Sequence, residues 1–172
     1  MADVRVRPAT LADAGLVAVV HVESWRSTYR GLVPNKYLDS LSIDRRRAVW
    51  EKLLGEASAN QGVLVLEDND SVVGFCHFSP TRDDDAVAAT GEITAFYLLA
   101  SHWGRGGGSR LLAAAVHALA ASGFKRATLW VLDGNERARR FYEKHGWRAD
   151  SSVKLDDRGT FQLRELRYGR PL

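Results

Sequence analysis

The sequence predicts an α+β fold in which a largely antiparallel sheet carries helices on its faces. Three observations support this prediction. Short segments rich in β-branched and aromatic residues indicate strands, and longer segments with a 3.6-residue apolar period indicate helices. These segments follow one another as strand, helices, three strands, helix, strand, helix and two strands. The length of 172 residues fits a single domain spanning residues 1–172.

The N-terminal part is predicted to hold one strand and three helices. Val4–Arg7 alternates apolar and basic residues and stops at Pro8, as a short strand does. Thr10 is typical of a helix start, and Gly31 and Pro34 mark the end of that helix and the start of the next. A third helix is predicted over Ile43–Leu54, with an apolar face made of Val49, Trp50, Leu53 and Leu54.

The rest of the chain alternates strands and helices. A polar stretch between two apolar runs, Asp68–Ser71, predicts a hairpin, and Thr81–Ala89 predicts a loop with solvated aspartates at 83–85. The predicted strands are Gly62–Glu67, Val72–Phe78, Glu92–Leu99, Arg126–Leu132, Val153–Leu155 and Thr160–Tyr168. The predicted helices are Ser109–Ala121 and Asn135–His145.

Composition excludes several classes of protein. The single cysteine, Cys76, cannot form an intramolecular disulfide or a multi-cysteine metal site, and it is expected to be buried and inert. The five histidines show no metal-ligand spacing, so no metal is expected. The net charge of +3 is too small to argue for a nucleic-acid partner. No segment approaches the roughly 18 apolar residues of a membrane span, so a cytoplasmic protein with no membrane partner is expected.

The most informative segment is Trp103–Arg110, which contains four glycines between a predicted strand and a predicted helix. Glycines at such a junction permit positive φ, and the free N–H groups of the helix start favour an anion. A flexible structural loop is the alternative. The segment lacks the lysine of a P-loop, and Ser109 stands where a dinucleotide fingerprint needs its third glycine.

This segment resembles the R/Q-x-x-G-x-G/A signature of the GNAT acetyltransferase superfamily. Gly106 and Gly108 fall on its small-residue positions, and Trp103 stands where the family usually has Arg or Gln. Downstream, Asn135–Trp147 is similar to the family segment N-x-x-A-x-x-F-Y-x-x-x-G-[FW]. The two motifs are separated by the expected helix and strand, and the resemblance covers essentially the whole chain.

The resemblance implies a mostly antiparallel central sheet of about seven strands with helices on both faces. It also implies an N-acetyltransferase that moves acetyl from its cosubstrate acetyl-CoA to a primary amine of a small molecule or peptide, by direct attack in a ternary complex. Homodimers are frequent in the family, which leaves a homodimer open. Two alternatives remain: a non-catalytic acyl-CoA sensor with the same fold, and a basic nucleic-acid-binding domain.

Carried over residue by residue, the resemblance assigns the binding of acetyl-CoA. The turn binds the pyrophosphate through the residues Trp103, Gly104, Arg105, Gly106, Gly107, Gly108 and Ser109. The pantetheine arm pairs with the main chain of Phe96, Tyr97 and Leu98, and one N–H of this strand meets the thioester oxygen. Asn135 hydrogen-bonds the arm, and the small Ala138 leaves room for it. Five arginines are expected to serve the phosphates: Arg105, Arg110, Arg137, Arg139 and Arg140.

By the same resemblance, Tyr142 is the general acid that protonates the departing thiolate, with a core aromatic as the alternative. Glu92 stands where some members have a general base that acts directly or through water, with an exposed strand-end glutamate as the alternative. Asn135, Ala138 and Tyr142 are spaced to share one helix face. In a regular strand, Glu92 shares a face with the residues Thr94, Phe96 and Leu98.

The acceptor pocket of the family is usually shaped by the early helices, which makes Trp25 and Tyr29 candidate substrate residues, with simple helix packing as the alternative. Arg45–Arg47 is expected to form a solvated helix face.

Overall fold

A computed structural model describes residues 4–56 and 58–172. Its strands are β1 (Val4–Pro8), β2 (Gly62–Asp68), β3 (Ser71–Pro80), β4 (Thr90–Leu98), β5 (Arg126–Leu132), β6 (Arg148–Asp157) and β7 (Gln162–Pro171). Its α-helices are α1 (Ala14–Thr28), α2 (Asn35–Ser40), α3 (Ile43–Gly55), α4 (Gly107–Ala121) and α5 (Glu136–Lys144).

The described strands form one seven-stranded sheet in the order β1-β2-β3-β4-β5-β7-β6. Neighbouring strands are antiparallel except β4 and β5, which are parallel. The parallel pairing runs from Thr90 opposite Arg126 to Ile93 opposite Leu129 and ends there. Beyond Ile93, β4 continues along β3 while β5 continues along β7. The two strands therefore separate into a wedge, which exposes the β5-facing main chain of Thr94–Leu98.

The two faces of the sheet bury separate cores, which confirms the predicted α+β architecture. One core joins α1 and α3 to the sheet through residues such as Val17, Val20, Trp50, Val65 and Phe75. The other joins α4 to the opposite face through residues such as Leu66, Cys76, Leu111, Leu112, Ala115 and Leu119. Burial of these apolar surfaces is what holds the helices against the sheet.

Three local predictions were wrong. Helix α4 begins at Gly107, two residues before the predicted start, because Gly106 adopts φ +84° and caps it. Val49 is 52% exposed on α3 and does not belong to its buried face. Between β3 and β4, His77 lies opposite Ala95 while Phe78 lies opposite Ile93, so Thr94 forms a bulge that breaks the expected alternation in β4.

No helix in the described part of the chain is long and apolar enough to span a membrane.

Candidate active site

A first cleft of about 590 Å³ opens along the wedge between β4 and β5. The glycine turn before α4 lines it, together with residues of α5 and the end of α1. Most of the predicted cofactor residues line it: Phe96, Tyr97, Leu98, Trp103, Gly104, Gly106, Gly108, Ser109, Asn135 and Ala138. The predicted acid Tyr142 lines it as well. The fold thus brings both sequence motifs to one cavity.

The glycine turn presents free backbone donors to this cleft. Gly104 and Gly106 have φ of +71° and +84°, in the left-handed region that favours glycine. The N–H of Arg110 donates to the carbonyl of Gly106 as the first hydrogen bond of the helix. The N–H groups of the preceding helical residues therefore have no intrahelical acceptor, which is the arrangement that binds an anion.

Gly107 has a packing role. It is buried, and a Cβ there would lie 2.7 Å from Cδ2 of Leu66. Neither Gly107 nor the exposed Arg105 is among the residues that line the cleft. Glycine at 107 therefore lets α4 approach the sheet, which sets the depth of the turn.

Trp103 and Arg137 form a stacked pair at the mouth of the turn. The Trp103 indole N–H donates to the Leu98 carbonyl at 3.0 Å, which fixes the ring against the end of β4. The guanidinium carbon of Arg137 lies 3.3 Å from the centroid of this ring. Arg137 makes no ion pair with any described residue, and it lines the cleft. Arg137 therefore supplies a positive charge next to Trp103, which is itself uncharged.

The other four arginines expected at the phosphates do not line this cleft. Arg110 donates to the Val4 carbonyl at 2.9 Å. Arg139 bonds Asp133 and the Tyr168 hydroxyl, and Arg140 pairs with Glu136 one turn away. Arg110, Arg139 and Arg140 thus bond within the fold, and the phosphate role expected of these arginines stays a prediction.

The main chain of β4 is available on its wedge side. The Leu99 N–H donates to the Val73 carbonyl of β3 at 2.9 Å. Because backbone groups of successive residues point to opposite edges of a strand, those of Leu98 and Phe96 face the wedge. The Leu98 carbonyl is already used by Trp103, whereas its N–H and both polar groups of Phe96 remain for a ligand.

Helix α5 turns the predicted face towards the cleft. The Asn135 side-chain oxygen accepts the Ala138 N–H at 3.2 Å and so caps the helix. Its side-chain NH₂ is left to contact a ligand. Tyr142 is 7% exposed and packs against Phe96 and Trp147, with ring centroids 6.1 and 6.2 Å away. Burial raises the pKa of the Tyr142 phenol well above its ordinary value, so the hydroxyl keeps its proton at neutral pH.

A second cleft of about 510 Å³ opens on the other side of β4. It contains the predicted base Glu92 and both candidate substrate residues, Trp25 and Tyr29. Glu92 is 2% exposed and accepts two hydrogen bonds from Arg82, one from its N–H and one from its guanidinium, each at 3.1 Å. The rings of Trp25 and Tyr29 also pack on each other, with centroids 4.7 Å apart. Both residues therefore pack together and line the second cleft.

The β4 bulge explains why Glu92 reaches this second cleft. Phe96 and Leu98 pack into the α4-side core, whereas Ala95 and Tyr97 pack on the α1 side. The extra residue at Thr94 reverses the alternation, which separates Glu92 from Phe96 and Leu98. The expectation that these side chains share a face was wrong.

Sequence reasoning missed several features in and beside the second cleft. Arg46 was expected to be solvated but is half-buried and lines the cleft, as does His21. Asp83 was also expected to be solvated, yet it accepts from the Trp130 indole at 3.0 Å and pairs with Arg167 at 3.2 Å. Arg46 stands four residues before Trp50 and seven before Leu53, and this helical spacing separates it from Arg45 and Arg47.

The parallel strand pair that splays open beside a glycine-rich helix N-terminus agrees with the resemblance of both motifs to acyl-CoA-dependent acetyltransferases. The chain belongs to the acetyltransferase (GNAT) family, whose model matches residues 22–147.

Several named proteins are similar to it. An uncharacterized N-acetyltransferase, YuaI of Bacillus subtilis, is 37% identical over 169 residues, covering 98% of this chain and 93% of that protein. A spermidine N(1)-acetyltransferase of Thermoplasma acidophilum is 25% identical over 158 residues, covering 89% of this chain and 93% of that protein. Among solved structures, the PaiA N-acetyltransferase of Thermoplasma acidophilum in complex with coenzyme A superposes with a TM-score of 0.77 at 20% identity, over 99% of both chains.

Proposed function

We propose that this protein transfers an acetyl group from acetyl-CoA to a primary amine of a small molecule or peptide, by direct attack in a ternary complex. The observation that carries the proposal is that the two clefts meet at the wedge. Six residues line both clefts: Tyr29, Ile93, Thr94, Ala95, Tyr97 and Trp130. Two substrates entering from opposite sides of β4 would bring their reacting groups together there.

The first cleft suits acetyl-CoA. The pyrophosphate would bind the free N–H groups at the start of α4, with Arg137 adding a positive charge. The pantetheine arm would follow the wedge edge of β4 at Phe96 and Leu98 and contact the side-chain NH₂ of Asn135.

The chemistry follows from this placement. The neutral amine nitrogen attacks the thioester carbonyl carbon, so an N–C bond forms and the carbonyl oxygen becomes negative. A main-chain N–H on the wedge edge of β4 stabilises that oxygen. The C–S bond then breaks, and the Tyr142 hydroxyl supplies the proton that the sulfur takes. Glu92 accepts the proton that the amine loses, directly or through water.

Thiol release from acetyl-CoA across an amine panel tests the proposal. Wild-type protein is expected to release CoA with at least one primary amine. Tyr142→Phe is expected to lower kcat by about 10²–10⁴-fold with little change in acetyl-CoA affinity, because the phenol acts only during bond breaking.

Acetyl-CoA binding is measured separately as a thermal shift, since a ligand at about 100 times its Kd adds about 2.7 kcal/mol of stability. Binding without turnover on any amine would indicate the acyl-CoA sensor instead. An unchanged kcat in Tyr142→Phe would remove Tyr142 from the mechanism.

A further inference from the structure

The second cleft contains one cation that no acid neutralises. Four basic side chains line it, and three of them pair with acids of the same cleft: Arg82 with Glu92 at 3.1 Å, Lys154 with Glu165 at 3.1 Å and Arg158 with Asp156 at 2.5 Å. The fourth, Arg46, has no ion pair or side-chain hydrogen bond to any residue in 4–56 or 58–172.

The position of Arg46 distinguishes it from its neighbours in sequence. It is half-buried on α3, whereas Arg45 and Arg47 are exposed, and Arg47 pairs with Glu51 at 2.8 Å. A partly desolvated guanidinium without an anionic partner costs free energy, which a bound anion would recover.

His21 adds a neutral donor beside this charge. Its Nδ1 accepts the Trp50 indole N–H at 3.1 Å, which assigns the ring proton to Nε2. Burial, with a smaller contribution from the charge of Arg46, lowers the pKa of His21 to about 3, so the ring is neutral. The Nε2–H has no hydrogen-bond acceptor in the described chain, and the ring lines the second cleft.

The acidic residues of the second cleft indicate where the amine of an acceptor would lie relative to Arg46. Glu92 lies near the wedge and is paired with Arg82, and the carboxylates of Glu165 and Asp156 also have basic partners. The fourth acid, Asp157, is exposed and accepts the Gly159 N–H at 2.8 Å. An acceptor that places its amine near Glu92 and an anion near Arg46 would therefore supply the partner that Arg46 lacks.

We infer that the acceptor is an amine that also carries a carboxylate, as an amino acid does, and that Arg46 and His21 bind this carboxylate. The inference rests on the proposed function and specifies the substrate class of the same site. Arg46 is then a specificity-determining residue that disfavours polyamines, which bring only positive charge to this cleft. This differs from the spermidine substrate in the name of one relative.

Matched acceptor pairs test the inference. Each of a panel of L-amino acids is compared with its α-carboxamide, which keeps the amine and side chain and removes the negative charge, and spermidine is included. At least one amino acid is expected to exceed its amide at least about tenfold in kcat/KM, the effect of one charge-assisted contact. Amides or spermidine as the preferred acceptors would overturn the inference.

Variants of α3 localise the effect. Arg46→Gln is expected to raise the KM of the amino acid at least about tenfold and leave that of the amide unchanged, and Arg46→Lys is expected to restore part of the loss. Arg45→Gln removes an equal charge from the exposed face of the same helix and is the matched control. Equal effects of Arg45→Gln and Arg46→Gln would contradict a direct contact.

A binding measurement separates this inference from the proposed function. N-acetyl amino acids and their amides are titrated calorimetrically into the protein in the presence of CoA. Preference for the carboxylate that is lost in Arg46→Gln supports the inference even without turnover. Equal binding of acid and amide, or no binding of either, overturns the inference, whereas absence of turnover on every amine overturns the proposed function.

Discussion

Arg137 is the side chain for which we expect the clearest effect on the binding of acetyl-CoA. Its guanidinium stacks on Trp103 with the carbon 3.3 Å from the ring centroid, and no described acid pairs with it. We expect Arg137→Gln to weaken CoA binding, because the variant keeps a polar side chain but loses the cation beside the free N–H groups of the turn.

The magnitude follows from the exposure of this side chain. An exposed ion pair contributes about 0.2–1 kcal/mol, and a charge-assisted hydrogen bond in a drier site about 1.5–3 kcal/mol. Arg137 is exposed to solvent, yet desolvation lowers its pKa, which places it between these cases. A loss of about 1–2 kcal/mol corresponds to about a 5- to 30-fold increase in Kd.

Calorimetry with two ligands provides the assay. CoA carries the phosphates and pantetheine does not, so Arg137→Gln should weaken CoA and leave pantetheine unchanged. Arg140→Gln is the matched control, because Arg140 pairs with Glu136 on the same helix and lies outside the first cleft. The reasoning is refuted if CoA binds Arg137→Gln within twofold of wild type, or if pantetheine loses as much affinity as CoA.

Three further predictions concern other parts of the fold. Glu92→Gln should abolish the acidic limb of the pH–rate profile, and a variant that keeps the wild-type limb would show that another group is the base. Gly107→Ala should lower stability by about 1–3 kcal/mol in thermal denaturation, because its Cβ meets Leu66 at 2.7 Å. Gly108→Ala is its control, since that Cβ has ordinary contacts at 3.5 Å, and an equal loss in both would contradict the packing argument. His21 has a pKa of about 3 in the folded state and about 6.5 when unfolded, so below pH 6.5 the unfolded state binds the extra proton and stability falls by up to about 1.4 kcal/mol per pH unit. Denaturant titrations should show a shallower pH dependence in His21→Gln, and an unchanged slope would refute this assignment.

Much of the fold could be predicted from local patterns. Strand β5 occupies Arg126–Leu132 as predicted, because charged residues, Lys125 and Asp133, flank the strand. The predicted hairpin of β2 and β3 is also present. Spacing predicted that Asn135, Ala138 and Tyr142 share one helix face, the family resemblance directed that face to the cofactor, and all three line the first cleft.

Other features depend on contacts that no local pattern records. The bulge at Thr94 arises from the register of β4 on β3, and it moves Glu92 to the second cleft. Arg46 lines the second cleft because of the way in which α3 packs against α1. The pairing of Arg137 with Trp103 joins residues on separate elements.

The sequence by itself determined the family, the order of the elements and the two motifs, because each depends on residues close together in the chain. Only the tertiary structure decided how charge is arranged around the wedge. Whether an arginine is neutralised or left for a ligand depends on which carboxylates the packed elements bring within reach. That is why Arg139 is a structural cation in this fold while Arg137 and Arg46 face the clefts.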